Sequence, residues 1–226
     1  MVVAVGKGGE TEDMMKKSYA VLGLGSFGMS VARTFAQLGM EVLAVDRRKE
    51  LVGAISSEVT YAVELDVTKE EALRSVGIEK MDGAVIAIGE NMEANVMATI
   101  LVKEMGVPYV VAKAETDVQA KVLEKIGADK VVFPEKDMGA RLAKLMAGNY
   151  LDVFNLDSSS SLVEMAVKEE WIGRTIRELD FRRKYHLNIV AVRREDSLDS
   201  FPNPDAVLGG GDIIIAMGNN EDLRRM

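Results

Sequence analysis

Short apolar runs alternate with longer amphipathic stretches along residues 18–148, and this alternation predicts parallel strands joined by helices. Each run is followed by Gly, Asp, Lys or Pro, residues that end a buried strand. The predicted strands cover residues 19–22, 42–45, 61–65, 84–88, 107–112 and 131–133. The pattern therefore predicts an α/β domain with a Rossmann-like, six-stranded parallel sheet.

The stretches between these strands carry apolar residues at helical spacing. A first helix follows a glycine-rich turn and ends at Gly39, which favours the left-handed conformation of a helix end. Thr68 is the predicted N-cap of a short helix that reaches Val76. The other predicted helices cover residues 49–57, 93–105, 117–126 and 135–146.

The composition changes after Gly148, and the remainder predicts a smaller α+β lobe over residues 150–226. Its strand-like runs cover 150–156, 162–167, 187–193 and 212–217, with a polar turn at 157–161 and one helix near 174–181. Residues 1–17 lack the apolar core and cleavage site of a signal peptide, so we expect a flexible tail. The Rossmann-like domain is then expected over residues 18–148.

The last helix of that domain, residues 135–147, carries an apolar stripe formed by Met138, Leu142, Leu145 and Met146. The stripe is wider than one face of a sheet needs. We therefore expect this helix to cross over to the second lobe and to contact another subunit. Ordinary packing on its own domain is the alternative.

Composition excludes several classes of protein. The 226 residues include no Cys and a single His, His186, so zinc clusters, iron–sulfur clusters and cysteine nucleophiles are excluded. A net charge of −8, evenly spread, argues against binding to nucleic acid. No run of 18 apolar residues occurs, so we expect a cytoplasmic protein without direct insertion into a membrane.

Residues 23–28 read GLGSFG, a G-x-G-x-x-G pattern between a predicted strand and a predicted helix. In this setting Gly23 makes the tight turn, Gly25 lets backbone N–H groups approach a phosphate, and Gly28 allows close packing of the helix on the strand. The phosphate would meet the N-terminus of the helix. Taken alone, the glycine pattern could also mark a turn that serves packing and binds no ligand.

Asp46 adds the second half of a dinucleotide-binding pattern. It stands 23 residues after Gly23 at the end of the next predicted strand, where a carboxylate accepts hydrogen bonds from ribose hydroxyls. The same carboxylate disfavours a 2′-phosphate, although the adjacent Arg47 and Arg48 leave NADP open. The sequence therefore predicts a nucleotide site above the first two strands.

Residues that follow the third and fourth strands face the same edge of the sheet. Asp66 and Val67 could contact the adenine, or Asp66 could belong to a helix cap near Thr68. Gly89 would permit close approach of a ligand to the backbone, and a simple turn is the alternative.

Lys113 and Glu135 follow the fifth and sixth strands. Each could face phosphates or a bound cation, and an ordinary surface charge is the alternative for both. An enzyme that transfers hydride would also need a general acid or base and a substrate pocket, and the sequence offers no convincing pair. A ligand-sensing regulator, a small NAD-dependent oxidoreductase and a Rossmann-like interaction module with an empty cleft are the three hypotheses to separate.

Five segments of the sequence resemble a known family. These are residues 19–28 (YAVLGLGSFG), 41–46 (EVLAVD), 85–89 (VIAIG), 122–129 (VLEKIGAD) and 134–139 (PEKDMG). They are similar to the regulatory subunits of bacterial potassium transport of the KtrA and TrkA type, which are built from RCK (or KTN) domains. The lobe likewise resembles the C-terminal RCK subdomain, at Ile172-Gly173 and at residues 207–212 (VLGGGD).

This resemblance implies a cytosolic gating ring that binds an adenine nucleotide and controls a membrane potassium-translocating subunit of the KtrB or TrkH type, without a net reaction. Subunits would pair and assemble into an octameric ring at the inner face of the membrane. Glu135 matches an acidic position that meets phosphates of the facing subunit through a divalent cation, Mg or Ca. The other implied nucleotide contacts are Ser26, Phe27, Asp46, Arg47, Arg48, Asp66, Val67, Ile88, Gly89, Glu90, Lys113, Ala114, Glu115 and Gln119.

Ser26 departs from the family pattern, because many ATP-responsive relatives carry Arg at this fourth position of the glycine motif. A guanidinium makes a bidentate, charge-assisted contact to a terminal phosphate and a hydroxyl does not. ATP, ADP, AMP and NAD(H) therefore stay open as ligands. Some relatives also bind cyclic di-AMP in the C-terminal subdomain, but no motif of this sequence indicates that ligand.

Overall fold

The structure is a computed structural model that describes residues 16–147 and 150–225. Contacts among these residues divide the chain into two compact units after Pro134. Most of the predicted N-terminal tail and the predicted domain boundary at Gly148 lie outside the described residues. The predicted α/β class is confirmed, since the first unit is a parallel sheet covered by helices on both faces.

The first unit contains six strands in the order β3-β2-β1-β4-β5-β6. Every neighbouring pair is parallel, which confirms the predicted sheet. From β1 at the centre, the chain adds β2 and β3 towards one edge and then returns to place β4 on the other side of β1. The order in which strands are added therefore reverses between β1 and β4. The strands are β1 (Ser18–Leu22), β2 (Glu41–Asp46), β3 (Tyr61–Glu64), β4 (Gly83–Ile86), β5 (Val110–Lys113) and β6 (Lys130–Val132).

Alternation along the central strands builds two cores, one on each face of the sheet. Ala20 and Leu22 pack against the face covered by α3, α4 and α5, whereas Val21 packs against the face covered by α1 and α2. This two-sided burial explains why the strands read as continuous apolar runs. The helices are α1 (Ser26–Gln37), α2 (Lys49–Ile55), α3 (Glu70–Ser75), α4 (Met92–Glu104) and α5 (Asp117–Lys125), with a 3₁₀ turn at Ile78–Lys80.

Two sequence predictions in this unit are wrong in detail. Thr68 does not cap α3, because its hydroxyl and its backbone N–H both donate to the Asp66 carboxylate, and the N-cap is Lys69. The fifth strand begins at Val110 and not at Val107. Pro108, which has no N–H to donate to a ladder, lies in the segment that leads into β5.

The second unit holds a five-stranded sheet in the order β10-β9-β11-β8-β7, in which every neighbouring pair is antiparallel. A core around Trp171, Phe181 and Leu187 fills one face. The short edge strand β10 was not predicted, and the predicted single helix near 174–181 is two short helices separated by Asp180, whose φ of 45° is left-handed. The strands are β7 (Asp152–Asn155), β8 (Ser160–Ala166), β9 (Asn188–Arg194), β10 (Ser197–Asp199) and β11 (Ile213–Asn219).

The remaining helices of the described residues are α6 (Pro134–Ala147), α7 (Ile176–Leu179), α8 (Phe181–Lys184) and α9 (Asn220–Leu223), with a 3₁₀ turn at Glu169–Trp171. The contacts of α6 group it with the second unit. Arg141 donates two hydrogen bonds to Asp152 Oδ1 in β7, at 2.9 and 2.6 Å, and its guanidinium lies 4.6 Å from the centre of the Phe154 ring. Leu145 packs against the core of this unit.

Candidate functional site

The carboxyl ends of β1 and β4 form the crevice at which ligands bind in open parallel sheets. The turn after β1 is fixed on both sides, because Gly23 N donates to Val45 O at 2.8 Å and Ala87 N donates to Leu22 O at 2.7 Å. Gly23 has a φ of 100°, and a Cβ at this position would lie 3.1 Å from the Ala87 carbonyl group. Glycine is therefore required for the turn as well as for its packing.

The other two glycines of the motif differ in what surrounds them. A Cβ on Gly28 would lie 1.9 Å from Gly23 O, so α1 packs on the turn more closely than any side chain would allow. A Cβ on Gly25 would meet no atom within 4 Å. Gly28 therefore serves helix packing, while Gly25 borders open space at the start of α1.

That open space faces a helix end without a side-chain cap. Gly25 is the N-cap of α1 and offers no side-chain acceptor, and the first turn contains no acidic residue. The first N–H groups of a helix lack intrahelical partners and carry partial positive charge. The site at Gly25 thus suits a phosphate group, as the glycine pattern predicts.

Asp46 ends β2 next to this turn and is only 6% exposed. Its Oδ2 accepts a hydrogen bond from Leu24 N at 2.7 Å, and its Oδ1 accepts from Arg48 N at 2.8 Å and from Arg48 Nε at 3.2 Å. Burial raises the pKa of Asp46, but the hydrogen bonds from Leu24 and Arg48 outweigh burial and hold the pKa below its ordinary value. Asp46 is therefore an ionised acceptor, and Oδ2 keeps acceptor capacity beyond its single bond.

Arg48 connects the two sides of the crevice electrostatically. Its hydrogen bond and ion pair with Asp46 raise its pKa, and the charges of Glu90 and Glu50 act in the same direction. Glu90 belongs to the loop after β4. The Arg48 side chain is exposed, and its Nε lies 3.2 Å from Asp46 Oδ1.

On the predicted adenine side, the side chain of Val67 is less accessible to a ligand than the sequence predicts. Val67 is 8% exposed and belongs to the core of the first unit, so its side chain is directed away from solvent. The Asp66 carboxylate accepts from the Thr68 hydroxyl at 2.7 Å and from Thr68 N at 3.0 Å. These bonds lower the pKa of Asp66, and the charge of Arg47 adds to the effect. Asp66 thus forms a local turn with Thr68 and does not cap α3, whose N-cap is Lys69, so the helix-cap alternative is wrong.

Two charged side chains from the end of β5 reach the loop after β4. A Cβ on Gly89 would lie 2.5 Å from Glu115 Oε1 and 3.0 Å from Lys113 Nζ, so a side chain there would displace the ends of both flexible side chains. Lys113 is 9% exposed, and the Ala114 side chain is buried. The loops after β4 and β5 therefore meet at Gly89, as residues at the carboxyl edge of one sheet should.

Gln119 has a local role in the loop after β5. Its Oε1 accepts from Glu115 N at 2.7 Å and from Thr116 N at 3.1 Å, while the Thr116 hydroxyl accepts from Gln119 N. This reciprocal capping box fixes the start of α5. Glu135 lies in the first turn of α6, in the second unit, and its place in a nucleotide site stays a prediction.

One polar residue of this region escaped the sequence analysis. Asn95 on α4 is 2% exposed and donates to the carbonyl oxygens of Ile88 and Lys113. Its only sequence signal is an amide among the apolar residues of a helix, four positions after the Asn91 that caps that helix. Among the described residues no group of three or more His, Asp or Glu side chains is arranged to hold a metal ion.

The fold and site define a class: a Rossmann-type parallel α/β domain followed by a small antiparallel α+β domain. A family model of the TrkA-N domain matches residues 19–134, and one of the TrkA-C domain matches residues 161–226. Ktr system potassium uptake protein C of Bacillus subtilis is 39% identical over 93% of this chain and 96% of its own length. Protein A of the same system in that organism is 37% identical over 92% and 95%.

The chain therefore belongs to the TrkA/Ktr family of potassium uptake proteins, and the predicted resemblance is confirmed. Among solved structures, the GsuK channel bound to NAD has a similar fold, with a TM-score of 0.65 and 17% identity. The match covers 93% of this chain and 39% of that channel. Within the described part of the chain, no helix is both long and apolar enough to cross a membrane.

Proposed function

We propose that this protein senses adenine nucleotides and regulates a potassium-translocating membrane subunit. The observation that carries the proposal is the pairing of the ionised, buried Asp46 with the open, uncapped helix end at Gly25. One group suits ribose hydroxyls and the other suits a phosphate. The similarity to relatives named as Ktr potassium uptake proteins supports potassium uptake as the process that such a sensor regulates.

The nucleotide is bound by the carboxyl edge of the parallel sheet. The phosphates lie at the start of α1, where they contact Gly23, Gly25, Ser26, Phe27 and Gly28. The ribose lies near Asp46, Arg47 and Arg48, and the adenine near Asp66 and the backbone of Val67. The remaining contacts are Ile88, Gly89, Glu90, Lys113, Ala114, Glu115 and Gln119. Ser26 does not favour the terminal phosphate of ATP, so ADP, AMP and NAD(H) compete with it.

A divalent cation, Mg or Ca, completes the site only when phosphates are present. Glu135, facing the phosphates of a nucleotide held by another subunit, is its proposed protein ligand. Phosphate oxygens supply the other ligands, because carboxylate and phosphate would otherwise repel each other.

Regulation is a shift between two shapes of a ring. A nucleotide changes the population of shapes only if it binds one of them more tightly, and a ligand with equal affinity for both changes nothing. We propose that subunits pair and build an octameric ring at the cytoplasmic face of the membrane, where the ring contacts a partner of the KtrB or TrkH type. No net reaction takes place.

The proposal is tested with purified protein and four nucleotides. ATP, ADP, AMP and NADH are titrated by calorimetry and by thermal shift, and a saturating nucleotide should raise the melting temperature. Absence of stabilisation by all four at millimolar concentration would support the interaction module with an empty cleft. Steady oxidation of NADH with simple carbonyl compounds would support the oxidoreductase. Potassium flux through a partner reconstituted in vesicles then tests regulation directly.

Gly25→Ala should separate binding from folding. The φ of Gly25 is −65°, which any residue adopts, and a Cβ there meets no atom of the protein within 4 Å. We expect the free energy of unfolding to change by less than about 1 kcal/mol, the scale of an N-cap effect. Nucleotide affinity should fall about tenfold or more, because the methyl group occupies the approach of the phosphate. Chemical denaturation and calorimetry measure the two quantities, and unchanged affinity would place the phosphate elsewhere.

Leu142→Glu should reduce the size of the assembly. Met138, Leu142 and Met146 lie four residues apart on α6 and are 57%, 55% and 80% exposed, so their stripe is not covered within the subunit. A carboxylate in a subunit contact made by this stripe would be buried at high cost. Native mass spectrometry should detect smaller oligomers, whereas Leu38→Glu, at an exposed residue of the first unit, should leave the mass unchanged. Equal masses for both variants would exclude α6 from the contact.

A further inference from the structure

Asn95 connects the loop after β4, which contains Gly89, with the end of β5, where the next loop begins. Its side chain lies beneath the carboxyl ends of β4 and β5 and is 2% exposed. Nδ2 donates to Ile88 O at 2.6 Å and to Lys113 O at 2.9 Å. Both hydrogens of one amide group are thereby used, one on each loop.

These two hydrogen bonds link the segments that follow the last backbone pairing between β4 and β5. The last paired residues of β4 and β5 are Ile86 and Ala112. Beyond them β4 and β5 are no longer paired, and the chain enters the two loops that contain Gly89 and Ala114. Asn95 reaches the carbonyl groups just before these loops, so one rigid amide fixes the spacing between the two strand ends after pairing has ended.

The orientation of the amide is fixed by the helix that carries it. The Thr99 hydroxyl, which is fully buried, donates to Asn95 O at 2.8 Å and also approaches Asn95 Oδ1 at 3.4 Å. Asn95 N donates to Asn91 O at 3.0 Å within the helical ladder. With Oδ1 facing Thr99, Nδ2 faces the strand ends, and the two hydrogen bonds distinguish the amide nitrogen from the oxygen.

Packing alone does not call for an amide at this position. Asparagine is a poorer helix former than leucine, and a buried amide is costly unless it is hydrogen-bonded. A leucine of similar size would fill the same volume beneath the strands but would leave the half-buried Ile88 carbonyl and the buried Lys113 carbonyl without these donors. What asparagine adds at this position is the connection between the loops.

We propose that Asn95 is a positioning residue, which holds the loops after β4 and β5 at the spacing that an adenine nucleotide requires. The inference rests on the proposed function, because both loops supply proposed contacts to the nucleotide. It can be tested first on the free protein, because hydrogen exchange reports directly on the two loops that Asn95 connects.

The decisive comparison is Asn95→Leu against Val102→Ala. Val102 lies on the same helix, is fully buried in the same core and contacts neither loop through a hydrogen bond, so its truncation is a control for lost stability. Hydrogen exchange of the free proteins should be faster in Asn95→Leu over residues 87–92 and 113–117. In Val102→Ala these segments should exchange no faster than the rest of the unit.

Nucleotide affinity supplies the second measurement. Two hydrogen bonds held in the free protein correspond to an affinity loss of about 10- to 30-fold for AMP and NADH in Asn95→Leu. Val102→Ala should bind within about twofold of the wild type, since it alters no loop. If Asn95→Leu does not fold, Asn95→Ser replaces it in both measurements, because the shorter side chain holds at most one carbonyl.

The outcomes separate this inference from the proposed function. Unchanged exchange at both loops in Asn95→Leu would overturn it, as would an equal affinity loss in Val102→Ala. If the wild type binds none of the nucleotides, the proposed function fails, and the exchange of the free protein still decides whether Asn95 holds the loops.

Discussion

Asp46→Asn is expected to bind AMP and NADH about 30- to 100-fold more weakly than the wild type, because hydrogen bonds to an ionised acceptor contribute more than those to a neutral one. Asp46 is the buried carboxylate at the end of β2, with one oxygen held by Leu24 N and the other by Arg48. An amide keeps one acceptor oxygen and turns an NH₂ group towards the second donor. Calorimetry at pH 7 measures the loss.

The same substitution should make stability depend less on pH. Hydrogen bonds hold the pKa of Asp46 below its unfolded value despite burial, so the carboxylate stabilises the folded state above the unfolded pKa of about 4. That contribution disappears as the pH falls through the still lower folded pKa. We expect Asp46→Asn to lower the free energy of unfolding by about 1 to 3 kcal/mol at neutral pH. The difference should shrink below about pH 4, because a protonated carboxyl resembles the amide.

Asp82→Asn is the matched control for the removal of one charge. Asp82 precedes β4 at the opposite, amino-terminal edge of the sheet, and its Oδ2 accepts from Ser18 N at 2.7 Å. Its pKa is lowered mainly by that bond, as a backbone N–H also lowers the pKa of Asp46. Nucleotide affinity should not change in this variant. Equal affinity losses in both variants would mean that net charge, and not the ribose contact, determines binding.

The parts of this fold that the sequence predicted are those with strong local signals. Six apolar runs separated by helical stretches leave little choice except a parallel sheet, and the structure confirms it. The glycine motif was equally informative, since the φ of Gly23 is that of a tight turn and the 1.9 Å approach at Gly28 reflects close packing of α1 on that turn. In each case one short segment of sequence contains the whole cause.

The parts that were missed have two causes. Thr68 has the side chain of a helix cap, but its hydroxyl donates to Asp66, two residues earlier, and the local sequence permits either partner. The other two depend on residues distant in the chain. Val67 is drawn into the core formed by helices that come later in the sequence. Asn95 gains its role only because β4 and β5 end beside the same helix. Its two acceptors, Ile88 O and Lys113 O, lie 7 residues before it and 18 residues after it in the chain.

Gly28→Ala is expected to lower the free energy of unfolding by about 2 to 3 kcal/mol and to abolish nucleotide binding, because overpacking of a tight contact costs this much. The added methyl carbon would lie 1.9 Å from Gly23 O and 3.0 Å from Ala87 Cβ, and neither neighbour is the end of a flexible side chain. The helix α1 would have to move off β1 and β4. Its N–H groups would then no longer point at the space beside Gly25.

Gly53→Ala is the control that decides the cause of this effect. Gly53 lies inside α2, and a Cβ there meets no atom within 4 Å, so the same substitution should stabilise the protein by about 0.5 to 1 kcal/mol through helix propensity. Urea denaturation should therefore give opposite signs for the two variants, with nucleotide affinity lost only in Gly28→Ala. A Gly28→Ala protein as stable as the wild type would show that α1 tolerates a side chain at the turn. The glycine would then serve neither packing nor the phosphate site.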